Sequence, residues 1–448
     1  MIQSIRATLR QAAAFLRGPL PPPEDLRAPE AEIAQAWAIG AALHLKGERQ
    51  AAYAAWAQAM ELQKKYAGEF CRPGDIRYLR GDWWTAPIGH IAHLDLYAKL
   101  QALGRTSSHF RILSPPGTIG NQAYLNCWRR SLDIVTDPRQ IAQYDTRLNE
   151  ELPAVVFLNG QWRWLLDALG LLEEQWEADG RRPLPFFSTA QIEQGWRVLA
   201  SCGVPRDAWF VALHVREGGK VSGNIHHANS TRNASLDSYL KAMELITEAG
   251  GWVIRLGDGS FTPLPSMPRV IDYAHSNLKC DWLDVFLLSQ CKFTLATNSG
   301  PAWVSGTFGV PTLLTNWAPL CDFFCYRKSI TLPKLLWSRK RQRLLTFTEQ
   351  FTEPFGFLES ESALAELGLV SVANEADDIA QAVNEIMADP GLNAKTDPAD
   401  QQRQAAFKNI AAGAKTPVRG RIGSHFLERH ADLLEGKAPS GPEMKFGT

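Results

Sequence analysis

Residues 209–219 read WFVALHVREGG. The run from Trp209 to Val215 is almost wholly apolar, the pattern of a strand covered on both faces. It ends by carrying an imidazole, His214, and a guanidinium, Arg216, into a loop that holds a Gly-Gly pair. Similar runs recur downstream: GWVIRLGD (251–258), a short one inside SMPRVIDYA (266–274), KFTLATNSG (292–300) and GVPTLLTNW (309–317). Between them LDSYLKAMELITEAG (236–250) and LKCDWLDVFLLSQC (278–291) have helical spacing. Such alternation predicts an α/β fold, a parallel sheet with helices on both faces. Ligands of these sheets sit beyond the carboxyl ends of the strands. His214, Arg216, Arg255, Gly257, Asp258, Asn298, Ser299, Gly300 and Asn316 all fall at such ends, and this clustering is the main site signal.

Working outward, four parts are expected. Residues 205–390 form the clearer Rossmann-like domain. Residues 75–200 form a second one, with a strand in DIRYLRGDWW, a loop through Pro87 and Gly89, a helix, and another strand in HFRILSPPG. Residues 1–66 form a helical appendage behind the stiff linker PLPPPED (19–25). There Gly40, Leu43, Ala52, Trp56 and Ala59 alternate small with large, a spacing similar to one tetratricopeptide repeat. A lone repeat cannot bury its own face, so it docks on the body or presents a surface to a partner. Residues 391–448 are expected to be a polar helical tail.

The chain has 448 residues, with 47 Lys+Arg against 47 Asp+Glu. Zero net charge argues against a broad nucleic-acid footprint, so any anion is held locally. Seven scattered cysteines without a CxxC pair argue against a disulfide framework and fit a reducing cytoplasm. The N-terminal stretch MIQSIRATLRQAAAFLRGPL is interrupted by Arg6, Arg10 and Arg17, unlike a secretion signal. A basic, half-apolar helix of this kind can rest on an anionic membrane surface, which would place the protein at the inner membrane face.

The stretch TNSGPAW (297–303) carries the chemistry furthest. A strand ends, Asn298, Ser299 and Gly300 make the turn, and Pro301 suits a first helical position. Free N–H groups and the helix dipole then make a phosphate seat. In VIRLGD, Arg255 can clamp a diphosphate alongside Arg216, or one of the two is a plain salt-bridge partner of Asp258 or Glu217. No GxxxxGK[ST] motif is present, which excludes a P-loop NTPase. No DxD motif stands at a strand end, so no metal ligands and no cofactor are expected.

HVREGGKVSGNIHH resembles the His-x-Arg segment of GT-B fucosyltransferase-type enzymes, and TNSGPAW with FGVPTLL is similar to the donor turn of GT-B glycosyltransferases, heptosyltransferases included. Residues 205–320 as a whole resemble bacterial surface-polysaccharide glycosyltransferases. The departure from the fucosyltransferase pattern is Glu217-Gly218-Gly219, where those enzymes continue with further charge. The resemblance implies a GT-B fold of two Rossmann-like domains facing a cleft. It implies a nucleotide-diphosphate sugar, GDP- or UDP-type, as donor and a glycan or protein hydroxyl as acceptor. It also places the nucleoside base near Asp272 and Tyr273.

For the base that accepts the acceptor proton, Gly89-His90 resembles the glycine-rich first loop of the peptidoglycan N-acetylglucosaminyltransferase. A histidine near a helix N-terminus is favoured in its neutral form. Glu217, abutting Arg216, is the rival. The expected activity is metal-independent sugar transfer, with inversion preferred because no nucleophile stands out. The alternative is a non-catalytic scaffold that binds a sugar nucleotide or glycan.

Overall fold

A computed structural model of the chain describes residues 28–67, 76–144, 149–218, 229–392 and 397–438. The expected basic N-terminal helix and the 19–25 linker lie outside the described residues. The chain divides into two compact units, Met1–Ser188 and Thr189–Thr448.

In the first unit, helices Ala28–Leu45 and Arg49–Ala67 form a hairpin. Gly40 lets them approach: any Cβ there would lie 2.5 Å from the Trp56 indole. Their shared face of Trp37, Ala41, Ala52, Trp56 and Ala59 buries against Val155, Trp162 and Trp164. Those residues belong to the antiparallel pair β4 (Val155–Leu158) and β5 (Gln161–Trp164). The pair of helices therefore covers its apolar face within its own unit.

The unit's parallel sheet is β1 (Ile76–Arg80), β2 (His109–Leu113) and β3 (Asp133–Val135), in the order β1-β2-β3. On the other edge of β1, Tyr78 makes a parallel bridge to Glu150. The chain thus adds strands in one direction from β1 and later returns to its opposite side.

The second unit holds a seven-stranded parallel sheet in the order β15-β11-β10-β9-β6-β7-β8. Its members are β6 (Phe210–His214), β7 (Trp252–Arg255), β8 (Val270–Ile271), β9 (Phe293–Ala296), β10 (Thr312–Trp317), β11 (Ser329–Pro333) and β15 (Arg421–Ile422). Side chains alternate between its faces. Val211 and Leu213 pack with Met243, Ile246, Ile379 and Val383 of helices Leu240–Glu248 and Ala376–Ala388. Phe210 meets Trp196, which also meets Phe286. A smaller antiparallel sheet, β12 (Leu335–Ser338), β13 (Arg343–Leu344) and β14 (Leu369–Val372), follows β11.

Two expected boundaries move. Helix Thr189–Ser201, expected to close the first domain, belongs to the second unit. Gly195 seats it directly on Phe286, where a Cβ would stand 2.3 Å from the ring. Within the expected C-terminal tail, residues 397–438 contribute part of the core. Phe407, Ala411, Ile422, Phe426 and Leu427 are buried in the main cluster, and β15 pairs with β11 as the sheet's edge.

Candidate functional site

The strand order places one reversal in the second unit. From β6 the chain moves out through β7 and β8, then returns to the other side of β6 with β9, β10 and β11. In open parallel sheets the crevice at such a reversal, outside the carboxyl ends, receives the ligand. Here it lies between the ends of β6 and β9. Those ends are stitched together: Thr297 N–H donates to the His214 carbonyl at 3.1 Å, and Arg216 N–H donates to Thr297 Oγ1 at 3.1 Å.

His214, the last residue of β6, is only 8% exposed. Its Nδ1 is buried with no hydrogen-bond partner among the described residues. Burial first, then the charges of Arg255 and Arg216, push its pKa down to about 3. The ring is therefore neutral at physiological pH, with a polar atom unmatched. Arg216 is half-buried; its Nε donates to Asn233 Oδ1 at 3.1 Å. Desolvation and neighbouring Arg232 bring its pKa down to about 10, so it remains a cation.

Helix Gly300–Thr307 begins at the same crevice, with Ser299 at its N-cap and Pro301 in its first turn. The Gly300 N–H belongs to the donors that a helix start leaves without an intrahelical acceptor. Ser299 does not play its expected part. Its hydroxyl donates to the Thr297 carbonyl at 3.0 Å, so its proton is engaged away from any anion. Asn298 is likewise internal, its Nδ2 donating to the Ala318 carbonyl at 2.9 Å. Asn316 is fully buried, its Nδ2 donating to Tyr239 Oη at 3.1 Å and its Oδ1 accepting from Asn374 N–H at 2.8 Å.

For Arg255 the structure shows the second of the two alternatives, an ion pair. It is 0% exposed, donating to Glu217 Oε1 at 2.7 Å, Asp272 Oδ1 at 3.0 Å and the Thr262 carbonyl at 3.1 Å. It is a buried ion-pair hub, the salt-bridge alternative to a diphosphate clamp. Glu217 is engaged at both oxygens, since Oε2 accepts the Thr262 N–H at 2.9 Å. It is an anchor rather than an open base. Asp272 also accepts from Leu264 N–H at 2.9 Å and pairs with His275 Nδ1 at 2.9 Å. Tyr273 is buried, exchanging hydrogen bonds with the backbone of Cys280, and burial raises its pKa.

Together they fix a strap, residues 257–264. Gly257 lies under Phe261, whose ring covers the Arg255 guanidinium at 5.1 Å and approaches His214 at 5.9 Å. Asp258 is exposed, with Oδ1 accepting the Ser260 N–H at 2.7 Å.

In the first unit, His90 is half-buried in the short helix Ile88–Ala92. Its ring lies 4.0 Å from Trp83, and its Nδ1 stands 2.9 Å from the Trp83 carbonyl. A carbonyl only accepts, so Nδ1 is the donor in that contact. His93, three residues further on, has its pKa held well below the usual range by desolvation and by His90. At the carboxyl end of β1 the structure adds two groups that the sequence reading missed. Asp82 is paired with Arg80 at 3.2 Å, and Glu150 is pushed up to about 7, mainly by desolvation. The signal was Asp82's place just after a strand; nothing in the sequence marked Glu150.

Among the described residues, no group of three or more His, Cys, Asp or Glu side chains is placed to hold a metal ion. None of their helices is long and apolar enough to cross a membrane. None of the six described cysteines is in a disulfide.

No protein-family model matches the chain, and no curated protein does. Among solved structures, it is similar to a glycosyl transferase family 9 protein from Veillonella parvula, at 12% identity and a TM-score of 0.40. That likeness covers 59% of this chain and 88% of that one. A similar likeness holds to the E. coli ADP-heptose lps heptosyltransferase II, at 12% identity and a TM-score of 0.34, over 58% and 90%. An E. coli heptosyltransferase with ADP-2-deoxy-2-fluoro heptose aligns at 11% identity and a TM-score of 0.30, over 58% and 92%.

Proposed function

We propose that the protein is a glycosyltransferase that binds a nucleotide-diphosphate sugar at the β6/β9 crevice and passes the sugar to a hydroxyl acceptor. One observation carries this reading. A neutral, buried His214 with an unmatched Nδ1 stands beside the Arg216 cation at the sheet's reversal, where the helix from Gly300 begins. Arg216 would pair with a phosphate oxygen, and His214 Nδ1–H and the Gly300 N–H would donate to others.

In the transfer, the acceptor oxygen attacks the anomeric carbon while its bond to phosphate breaks. The electron pair leaves with the nucleoside diphosphate, and the acceptor's proton goes to a base. We assign that base to His90. Fixed donors and a guanidinium aimed at the leaving diphosphate stabilise its growing charge, which supports a metal-independent route. Transfer that EDTA abolishes and manganese restores would remove that part. The resemblance of HVREGG and TNSGPAW to donor segments supports GDP- or UDP-sugars as the first donors to try.

The test is release of nucleoside diphosphate from a panel of sugar nucleotides, with and without a glycan acceptor. Turnover, even slow hydrolysis, supports the enzyme. Binding without any release identifies a scaffold instead.

A further inference from the structure

Beyond the crevice, cations gather around one residue, Asn233. Arg216 Nε donates to its side-chain oxygen at 3.1 Å, and Lys334 Nζ donates to its backbone carbonyl at 2.7 Å. Arg232 is its chain neighbour. Lys334 stands just past the carboxyl end of β11, so it shares the edge of the sheet that carries His214 and Arg216. It is 7% exposed, and among the described residues none of its hydrogen bonds or salt bridges reaches a carboxylate. Burial pushes its pKa down to about 8, with Glu361 acting against that shift. Arg232 donates to Glu359 Oε1 at 3.0 Å, while its buried Nε has no hydrogen-bond partner among the described residues.

The local charges do not balance. Among the described residues three cations meet two carboxylates, Glu359 and Glu361, and Glu361 is itself engaged by the Ser371 hydroxyl. A lysine buried against a carbonyl alone costs free energy unless something further compensates it. A buried lysine without a carboxylate in contact, at the ligand edge of a sheet, marks a binding group.

We infer that Lys334 and Arg232 form a second oxyanion seat, joined to Arg216 through Asn233, and that the pair of seats takes a diphosphate rather than a single phosphate. This rests on the donor reading above, and it adds residues that the motif at Arg216 does not include. Arg216 holds one phosphate at the crevice. Lys334 and the unpartnered Nε of Arg232 hold oxygens of the other.

The experiment titrates the full chain with inorganic pyrophosphate, inorganic phosphate and nucleoside diphosphates by calorimetry. Wild type should bind pyrophosphate more tightly than phosphate. Lys334→Met should lose tenfold or more in pyrophosphate affinity and little in phosphate affinity. Glu359→Gln keeps the contact to Arg232 but removes the competing charge, so it should tighten pyrophosphate binding several-fold. A merely structural cluster would not give that sign. Pyrophosphate affinity unchanged in folded Lys334→Met, or unimproved in Glu359→Gln, overturns the inference. If wild type binds no nucleoside diphosphate at all, the donor reading fails first. If wild type binds one and both variants bind like it, only this inference fails.

Discussion

The backbone N–H of Arg216 is held by the hydroxyl of Thr297 at 3.1 Å, and Thr297 itself is fully buried. The cation therefore leaves its strand from a point fixed to the neighbouring strand, so its guanidinium is aimed before any ligand arrives. Aim of this kind lowers the ordering cost of binding.

Arg216→Ala should keep the fold and lose donor use. A charge-assisted hydrogen bond is worth about 1.5–3 kcal/mol, or roughly ten- to a hundredfold in kcat/KM. The check is sugar-nucleotide turnover together with a melting curve. Near-normal kinetics in the folded variant would take Arg216 out of the site.

Arg255→Gln should behave in the opposite way, as a stability variant. It strips a buried cation from Glu217 and Asp272, leaving two carboxylates facing each other. Breaking a buried pair costs about 3–5 kcal/mol, readable as a lower urea midpoint. An unchanged midpoint with lost nucleotide binding would return Arg255 to the ligand.

His90→Gln should lower acceptor transfer by about 10²–10⁴ while nucleotide binding stays within twofold. Glu217→Gln, with both its oxygens engaged in the fold, should not produce that selective loss. Asp82→Asn is the comparison, because its carboxylate also stands at a carboxyl strand end. If Asp82→Asn alone is inactive, the base is Asp82.

His214 sets a pH dependence of stability. Unfolded, a histidine takes up its proton near 6.5; folded, His214 stays neutral down to about 3. Between those values the unfolded chain binds more protons, so stability falls as pH drops, by up to about 1.4 kcal/mol per unit. His430, pushed down to about 4 chiefly by burial, adds the same sign. His214→Gln should flatten the slope of folding stability between pH 6.5 and the acid limit. An unaltered slope would show that His214 titrates normally.

Much of the second unit was legible because buried parallel strands are apolar runs ended by polar punctuation. WFVALHV, KFTLATNSG and GVPTLLTNW gave strands at their expected places, and their ends gave His214, Arg216 and the turn before Gly300. What a strand end does not show is where its side chain goes. Arg216 and Arg255 look alike in sequence, yet Glu217 and Asp272 capture only the second. Those partners lie 38 and 17 residues away from it, a separation no local pattern encodes. The same holds for β15. Arg421–Ile422 is too short to read as a strand, and it pairs only because β11 offers an edge. Lys334 was hidden for a related reason, since its burial depends on Asn233, 101 residues earlier.

The most direct test is equilibrium binding of ADP, GDP, UDP, CMP and dTDP to the full chain, beside its Arg216→Ala variant. At least one nucleoside diphosphate should bind saturably and, at 100 times its Kd, raise folding stability by about 2.7 kcal/mol. Arg216→Ala should weaken that binding tenfold or more. No binding by any of the five, or equal binding by the variant, would contradict a nucleotide-sugar site at the β6/β9 crevice.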